Sequence, residues 1–310
     1  MRVLVIGAGS IGRRHAANLE GLGATVTLLP WRATSADDVA LRLAQTDGAV
    51  IATATDIRLP LIAACGAAGV PFYCEKPVAF RLADLDAIIA AAAPVATRSM
   101  TGLMMRYHAG FRAIADLDLS PAFRFALTIG HDVTQWRKDW RFSDSYAARA
   151  EGGGVLLDLC HEIDMAQCLF PGLTLTGCDS IGHLAYPGVD MASLLTLKAR
   201  GVAGTVAMDY LCPRLVRQTR VDTPDLSADF DFAAGVYRVT TAAGVQTLDL
   251  PQDRNAMFQD AMRDFLALVR GATPATPHLP RFDRTLPSCR LIAAAWEARR
   301  FTGTTRKDIA

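Results

Sequence analysis

The chain has 310 residues, of which 51% are hydrophobic and 20% charged, so it can bury a sizeable core and is neither disordered nor fibrous. Its 32 lysines and arginines are balanced by 31 acidic residues, which leaves no basic excess to bind nucleic acid or an anionic membrane. The length exceeds what one average core supports, so two domains are expected.

Along the first hundred residues, short apolar runs alternate with helical stretches, which predicts a parallel sheet with crossover helices. Strands are predicted at 3–6, 25–29, 49–54, 70–74 and 99–105, with helices at 13–22 and 82–92. From residue 123 onward, strands follow one another with few helices between them, which predicts a large antiparallel sheet. Its predicted strands are 123–130, 173–185, 191–198, 202–211, 228–232 and 236–241, and helices are predicted at 156–169, 256–269 and 286–299.

A glycine-rich motif, GAGSIG at residues 7–12, directly follows the first strand and precedes a helix. Gly7 permits a tight turn, Gly9 lets the backbone approach a pyrophosphate, and Gly12 lets the helix pack closely on the strand. Ser10 and Ile11, between the glycines, are also expected at the cofactor, and the N-terminal N–H groups of the helix can bind the anion. The motif therefore predicts dinucleotide binding, against the alternative of a tight turn without a ligand.

The end of the second strand bears on which dinucleotide binds. An acidic residue there would bind the ribose 2'-hydroxyl of NAD, but this strand is followed by Trp31 and Arg32. Arg32 suits a 2'-phosphate and Trp31 suits the adenine, so NADP(H) is slightly favoured over NAD(H); the alternative is a solvated surface arginine. Thr53 and Thr55, after the third strand, are predicted to line the nicotinamide ribose.

Further motifs resemble one family, the Gfo/Idh/MocA oxidoreductases, which include glucose-fructose oxidoreductase and inositol dehydrogenase. The sequences EKP at residues 75–77 and GGGVLLD at residues 152–158 are specific at this separation, and the resemblance covers nearly the whole chain. The remaining matching segments are 7–19, 50–55, 68–74, 106–108, 136–137, Tyr146, 159–164 and 255–258.

The resemblance implies an α/β fold: an N-terminal Rossmann domain with a doubly wound parallel sheet, and a C-terminal α/β domain with a large, mostly antiparallel open sheet. We assign residues 1–106 to dinucleotide binding and 107–310 to substrate binding and oligomerisation, with a C-terminal helix able to pack back on the first domain. It further implies an active site in the cleft between the domains and a homodimer or homotetramer.

The resemblance also implies the catalytic residues. Lys76 is expected near both nicotinamide and substrate, beside Glu75 at the cofactor, while Asp158 and His161 complete the site. Inositol dehydrogenase and similar members separate Asp and His by four residues, whereas three separate them here, so Glu162 competes for the histidine's place. Residues three apart on a helix share a face, and an imidazole titrates near neutrality, which favours His161 as the base.

In this hypothesis Asp158 orients His161, and Lys76 polarises the reacting oxygen and shares the proton relay. A loop that interleaves aromatic residues with arginines is predicted to form a substrate wall through Trp136, Arg137 and Tyr146. The alternative for each of these is a structural loop residue. Arginines in the wall hint at an anionic substrate, and Arg106 is predicted to reach the substrate or to pair within the hinge.

The sequence thus predicts an NAD(P)-dependent dehydrogenase or reductase that interconverts a secondary alcohol and a ketone on a sugar, cyclitol or sugar acid. Two alternatives are a non-catalytic dinucleotide-binding sensor or partner subunit, and a redox-neutral enzyme that uses NAD on the same fold. Net consumption of NAD(P)H distinguishes the dehydrogenase from both. A sensor would bind the nucleotide without turnover, and a redox-neutral enzyme would turn over its substrate without a net change in NAD(P)H.

The cysteines and histidines indicate whether the protein binds a metal, and the cysteines also bear on its cellular location. The seven cysteines form no CxxC pair, and His131, His183 and His278 lack partners at metal spacing, so no metal is predicted. Reduced thiols, no signal-peptide pattern and no apolar run of about 20 residues predict a soluble, cytoplasmic protein.

Overall fold

The computed structural model describes residues 1–136, 141–274 and 276–309. The chain divides into two compact units: Met1–Tyr107 with Asp253–Cys289, and His108–Gln252 with Arg290–Ala310. The sequence analysis placed the domain boundary after residue 106, and the first segment of the first unit ends at Tyr107. Residues 253–289, which that division placed in the second domain, belong to the first unit.

The helices and strands are as follows. In residues 1–107 they are β1 (Arg2–Ile6), α1 (Ser10–Gly21), β2 (Thr25–Leu29), α2 (Ala36–Leu43), β3 (Gly48–Ile51), α3 (Arg58–Ala68), β4 (Phe72–Cys74), α4 (Leu82–Ala92) and β5 (Met100–Thr101). They continue with α5 (Ala109–Ala115), β6 (Arg124–Gly130), α6 (Val155–Asp158), α7 (His161–Leu169), β7 (Thr174–His183), β8 (Tyr186–Ala199), β9 (Val202–Asp209), β10 (Val216–Asp222), β11 (Leu226–Asp231), β12 (Val236–Thr241), β13 (Gly244–Asp249), α8 (Arg254–Val269), α9 (Phe282–Ala298) and β14 (Arg300–Thr305).

The first unit contains a parallel five-stranded sheet in the order β2-β1-β3-β4-β5. β1 pairs with β2 on one side and β3 on the other, so Val5 lies opposite both Leu28 and Val50. β3 and β4 are buried along their whole length, which explains their continuous apolar sequence. Because the strand order reverses at β1, a crevice is expected at the carboxyl ends of β1 and β3.

α8 belongs to this unit although it lies far along the chain. Its Phe258 and Phe265 are buried in one cluster with Val5 and Tyr73, and the Phe265 and Tyr73 rings meet edge to face at 6.1 Å. The helical spacing of apolar residues predicted this helix, and the sheet supplies the surface that its apolar face covers.

The second unit contains a nine-stranded sheet in the order β13-β12-β11-β10-β6-β9-β8-β7-β14. The pairs β6–β9 and β7–β14 are parallel and the others antiparallel. α5, α6 and α7 pack on strands of this sheet. The predicted fold class, a Rossmann-type parallel sheet plus a large, mostly antiparallel sheet, is confirmed.

The main differences from the sequence predictions concern four strands and one helix. β10, β13 and β14 were not predicted, because β13 and β14 are exposed almost throughout and β10 is largely polar. The predicted strand 99–105 is only two residues long. The predicted helix 156–169 is two helices, because the backbone leaves helical geometry at Leu159, with φ −104° and ψ 26°.

Within residues 1–136, 141–274 and 276–309, every helix falls short of the length and apolar character needed to cross a bilayer. The seven cysteines are free thiols.

We predict that Phe265→Ala lowers the free energy of unfolding by about 3–5 kcal/mol, because it removes a fully buried ring from the cluster between α8 and the sheet. Urea denaturation followed by circular dichroism measures this. The control is Leu248→Ala in β13, a side chain that is 55% exposed, for which a change within about 0.5 kcal/mol is expected. Equal losses in both variants would contradict the packing described here.

Candidate active site

The glycine loop between β1 and α1 needs residues without side chains. Gly7 has a φ of +113°, and its N–H donates to the carbonyl oxygen of Leu29 at 2.9 Å. A Cβ on Gly12 would lie 1.7 Å from the carbonyl oxygen of Gly7, and one on Gly7 would collide with the backbone of Ala52. The turn, the start of the helix and the end of β3 therefore fit together only with glycine at both positions.

The same loop presents groups that suit a dinucleotide. α1 begins at Ser10, and the N–H groups of Ser10, Ile11 and Gly12 are the ones a helix leaves without intrahelical partners. A Cβ on Gly9 would have no neighbour within 4 Å, so the space beside it is open. At the end of β3, the Thr53 hydroxyl is buried and has no hydrogen-bond partner among the described residues. These features fit a bound pyrophosphate and ribose.

The other residues predicted at the cofactor lie after β2 and β3. Trp31 is half-buried against the core cluster of the first unit, and Arg32 beside it is exposed. Thr55 is half-buried in the turn that leads to α3. Trp31 thus has a packing contact in addition to its predicted role, and the Arg32 guanidinium is open to solvent.

The EKP motif follows β4 and contains a cis peptide bond between Lys76 and Pro77. Glu75 accepts a hydrogen bond from Nε2 of the buried His15 at 2.6 Å. Burial by itself would raise the pKa of Glu75, but the His15 hydrogen bond and the charges of His15, Lys76 and Arg58 hold it below its usual value. Lys76 is half-exposed, so its ammonium group is accessible while Glu75 serves as a fixed interior anion.

Arg58, at the start of α3, fixes the backbone of this motif. It is 3% exposed and donates to the carbonyl oxygens of Thr53 at 2.8 Å and Lys76 at 3.4 Å, and also to those of Glu75 and Pro77. One guanidinium therefore connects the residues that follow β3 with those that follow β4. The sequence left the role of Arg58 open, because nothing local to an arginine predicts carbonyl partners 17–19 residues away.

In the second unit, the triple glycine brings the Tyr146 loop against the start of α6. A Cβ on Gly153 would lie 2.6 Å from the carbonyl oxygen of Tyr146 and 2.8 Å from that of Ala147. Gly154 has a φ of +90°, its N–H donates to Ala147 at 2.9 Å, and a Cβ there would collide with the buried Asp190 carboxylate. Asp190 in turn accepts the N–H of Leu156 at 2.9 Å.

Asp158, the last residue of α6, binds two phenols. The Tyr210 hydroxyl lies 3.0 Å from Oδ2 of Asp158 and 3.1 Å from the carbonyl oxygen of Gly154, and the Tyr146 hydroxyl donates to Oδ1. Burial raises the pKa of Tyr210 well above its ordinary value, and the Asp158 charge adds to this, so it stays a protonated donor. Sequence analysis placed Tyr146 in the substrate wall but did not connect it to Asp158, and it missed Tyr210.

His161 and Glu162 have different surroundings at the start of α7. Glu162 is 1% exposed, and its Oε1 accepts from Nε of Arg217 at 2.6 Å. His161 is half-exposed. Because the turn at Leu159 separates α6 from α7, the argument that Asp158 and His161 share one helix face does not apply. The structure nevertheless leaves Asp158 and His161 more accessible than Glu162.

The remaining predicted substrate residues are distributed over both units. Trp136 packs edge to face on Tyr210, with ring centroids 5.4 Å apart, which places it in the same cluster as Asp158. Arg137 lies outside the described residues. Arg106 is 5% exposed within the first unit, where it donates to the His278 carbonyl at 3.3 Å and the Ser288 hydroxyl at 3.4 Å. Its substrate contact stays a prediction.

Comparisons with known proteins agree with these motifs. No family profile matches the chain. It is 24% identical to the UDP-N-acetylglucosamine 3-dehydrogenase of Acidithiobacillus ferrooxidans over 96% of both chains. It is 29% identical to the D-apiose dehydrogenase of Paraburkholderia graminis over 63% of this chain, and the match spans 51% of that protein.

Solved structures show the same fold. An inositol dehydrogenase homologue from Azotobacter vinelandii, complexed with NAD+, superposes with a TM-score of 0.76 at 15% identity over 96% of this chain and 95% of that one. These similarities agree with the resemblance of the sequence motifs to the Gfo/Idh/MocA oxidoreductases. A 3-ketoreductase from Actinomadura kijaniata, solved in complex with TDP-benzene and NADP, has a similar fold. It superposes with a TM-score of 0.77 at 18% identity, over 98% of this chain and 99% of that one.

We predict that Gly12→Ala abolishes binding of NADPH and NADH, because the added methyl group displaces the Gly7 carbonyl and with it the glycine loop. Fluorescence titration measures the binding, and circular dichroism checks that the protein is folded. Gly21→Ala is the matched control, since a Cβ at this position in the same helix meets nothing within 4 Å. A folded Gly12→Ala protein that binds both nucleotides like the wild type would refute the assignment of the loop.

Proposed function

We propose that this protein is an NAD(P)-dependent oxidoreductase that transfers a hydride between the nicotinamide and a secondary alcohol or ketone of a sugar, cyclitol or sugar-acid derivative. The observation that carries the proposal is the set of groups at the carboxyl ends of the strands of the parallel sheet. The glycine loop, the Thr53 hydroxyl and Lys76 follow the adjacent strands β1, β3 and β4, and Arg58 connects the last two. Both curated relatives are named for sugar dehydrogenation, which supports the same class of reaction.

Different residues have different roles in this reaction. When bound, the nicotinamide supplies the hydride chemistry. The accessible ammonium group of Lys76 stabilises the oxygen of the reacting carbon as its charge develops. Oxidation also releases the hydroxyl proton, and in the second unit Asp158 and His161 are the candidate acceptors. Glu162 is excluded from this role because its carboxylate is buried and bound to Arg217.

The accessible side chains of the second unit support a polar, ring-shaped substrate. Trp136 is half-buried beside the Asp158 cluster, and Arg141 and Arg149 are exposed on the loop that follows it. Aromatic faces pack on sugar rings, and arginine binds carboxylate or phosphate groups. A sensor without chemistry would not require an accessible Lys76 together with an Asp158 that binds two phenols. The homo-oligomeric state and the cytoplasmic location stay predictions.

We further propose that NADP(H) is preferred over NAD(H). β2 ends at Leu29 without a carboxylate that could bind a ribose 2'-hydroxyl, and Arg32 is exposed just beyond it. The relatives of known structure include complexes with either nucleotide, so the preference rests on this chain's own residues.

We predict that Lys76→Ala binds NADPH within about twofold of the wild type but loses turnover by roughly a hundredfold or more. Turnover is measured as absorbance change with a panel of UDP-N-acetylglucosamine, D-apiose, inositol and uronic acids. Lys198→Ala is the control, because that lysine is exposed on β8 and outside the proposed machinery. Failure of the wild type to bind either nucleotide, or to turn over any compound, would contradict the proposed function.

We predict that Arg32→Ala weakens NADPH binding about tenfold or more, since it removes a charge-assisted contact to the 2'-phosphate. NADH binding to the same variant serves as the internal control and is expected to be unchanged. The ratio of the two dissociation constants is the measurement. Equal effects on both nucleotides would leave Arg32 without a role in cofactor choice.

A further inference from the structure

The proposed reaction requires a side chain that meets the substrate hydroxyl and carries its proton away. In the second unit, Glu162 cannot serve, because its carboxylate is 1% exposed and paired with Arg217 at 2.6 Å. The Asp158 carboxylate is half-buried, and phenols occupy both of its oxygen atoms. Each oxygen atom of Asp158 is therefore already bound by a phenol.

The two phenols differ in exposure. Tyr210 is fully buried, with Phe142 and Trp136 packed on its ring. Tyr146 is 44% exposed and still donates its hydroxyl hydrogen to Asp158. A ligand can therefore reach Tyr146 while its hydroxyl remains bound to the carboxylate.

The backbone around Tyr146 is fixed by hydrogen bonds and by a close approach to the glycines before α6. Ser145 precedes it and accepts the N–H of Ala147 at 3.1 Å, and the carbonyl oxygen of Ala147 accepts the N–H of Gly154 at 2.9 Å. A Cβ on Gly153 would collide with the carbonyl oxygens of Tyr146 and Ala147. The glycines before α6 thus permit the close approach that brings Tyr146 to the residue at the end of that helix.

We propose that Tyr146 is a catalytic residue that contacts the reacting oxygen and relays its proton to Asp158. This inference rests on the proposed function. In the oxidative direction, a bound oxidised nicotinamide would accept the carbinol hydrogen as hydride when the C–H bond breaks. The hydroxyl proton moves to the Tyr146 oxygen as the phenolic proton moves to the Asp158 carboxylate, and the carbinol becomes a ketone. Reduction runs through the same transfers in reverse.

In this arrangement Tyr210 is a positioning residue. Its hydroxyl binds the second oxygen of Asp158 and the carbonyl oxygen of Gly154, so it holds the carboxylate in place without reaching solvent. Tyr210→Phe should lower turnover through misplacement of the carboxylate, whereas Tyr146→Phe removes the proton path itself.

We predict that Tyr146→Phe lowers kcat by roughly a hundredfold or more, with NADPH binding within about twofold of the wild type. The assay uses whichever panel compound the wild type turns over fastest. Tyr237→Phe is the matched control: its hydroxyl binds the backbone of Ala113 at 3.4 Å, away from Asp158, and its kcat should match the wild type. His161→Asn should lose less activity than Tyr146→Phe.

A double-mutant cycle tests the relay. Because Tyr146 and Asp158 act in one proton path, Tyr146→Phe combined with Asp158→Asn should lose little more activity than the more damaging single substitution. The wild type should show a solvent deuterium isotope effect on kcat that Tyr146→Phe alters.

Three results would overturn the inference while leaving the proposed function intact. These are a kcat for Tyr146→Phe within about threefold of the wild type, a larger loss in His161→Asn, or multiplicative losses in the double mutant. No turnover of any panel compound by the wild type would instead contradict the proposed function, and this inference with it.

Discussion

The glycine loop of the first unit and the Tyr146 loop of the second both depend on main-chain segments that approach each other more closely than a side chain would permit. In the first unit, a Cβ on Gly12 would lie 1.7 Å from the Gly7 carbonyl oxygen, so the turn after β1 and the first turn of α1 occupy one small volume. In the second unit, Gly153 and Gly154 do the same for the Tyr146 loop and α6. In each case the close approach of two main-chain segments requires the absence of a methyl group.

Burial then separates structural charges from those available for chemistry. Glu75 is paired with His15, and Glu162 with Arg217, so each carboxylate is compensated within its own unit. Lys76 and Asp158, in the two motifs that resemble the family, are half-exposed. Removing a partner from either interior pair would leave a buried charge uncompensated, which is a cost in stability, whereas Lys76 and Asp158 can interact with a ligand.

The secondary structure shows where local pattern is informative. β2 and β12 were predicted with their observed bounds, and α8 to within two residues of its start, because runs rich in β-branched residues and apolar residues at helical spacing are local patterns. β13 and β14 carry no such pattern, since they are exposed strands at the two ends of the nine-stranded sheet. Their existence depends on hydrogen bonds to a neighbouring strand, which no local residue pattern encodes.

The sequence by itself determined the fold class and the glycine loop, because short apolar runs and glycine spacing set local backbone geometry. The candidates Lys76, Asp158 and His161 were implied by the resemblance of the EKP and GGGVLLD motifs to one family. The tertiary structure decided the rest. It assigned Glu162 to an interior ion pair, gave Arg58 four carbonyl partners, and brought Tyr146 and Tyr210 to one carboxylate. Tyr210 is 52 residues from Asp158 and Arg217 is 55 from Glu162. Such contacts arise only when the sheet places distant segments side by side, and so their chemistry cannot be read from neighbouring residues.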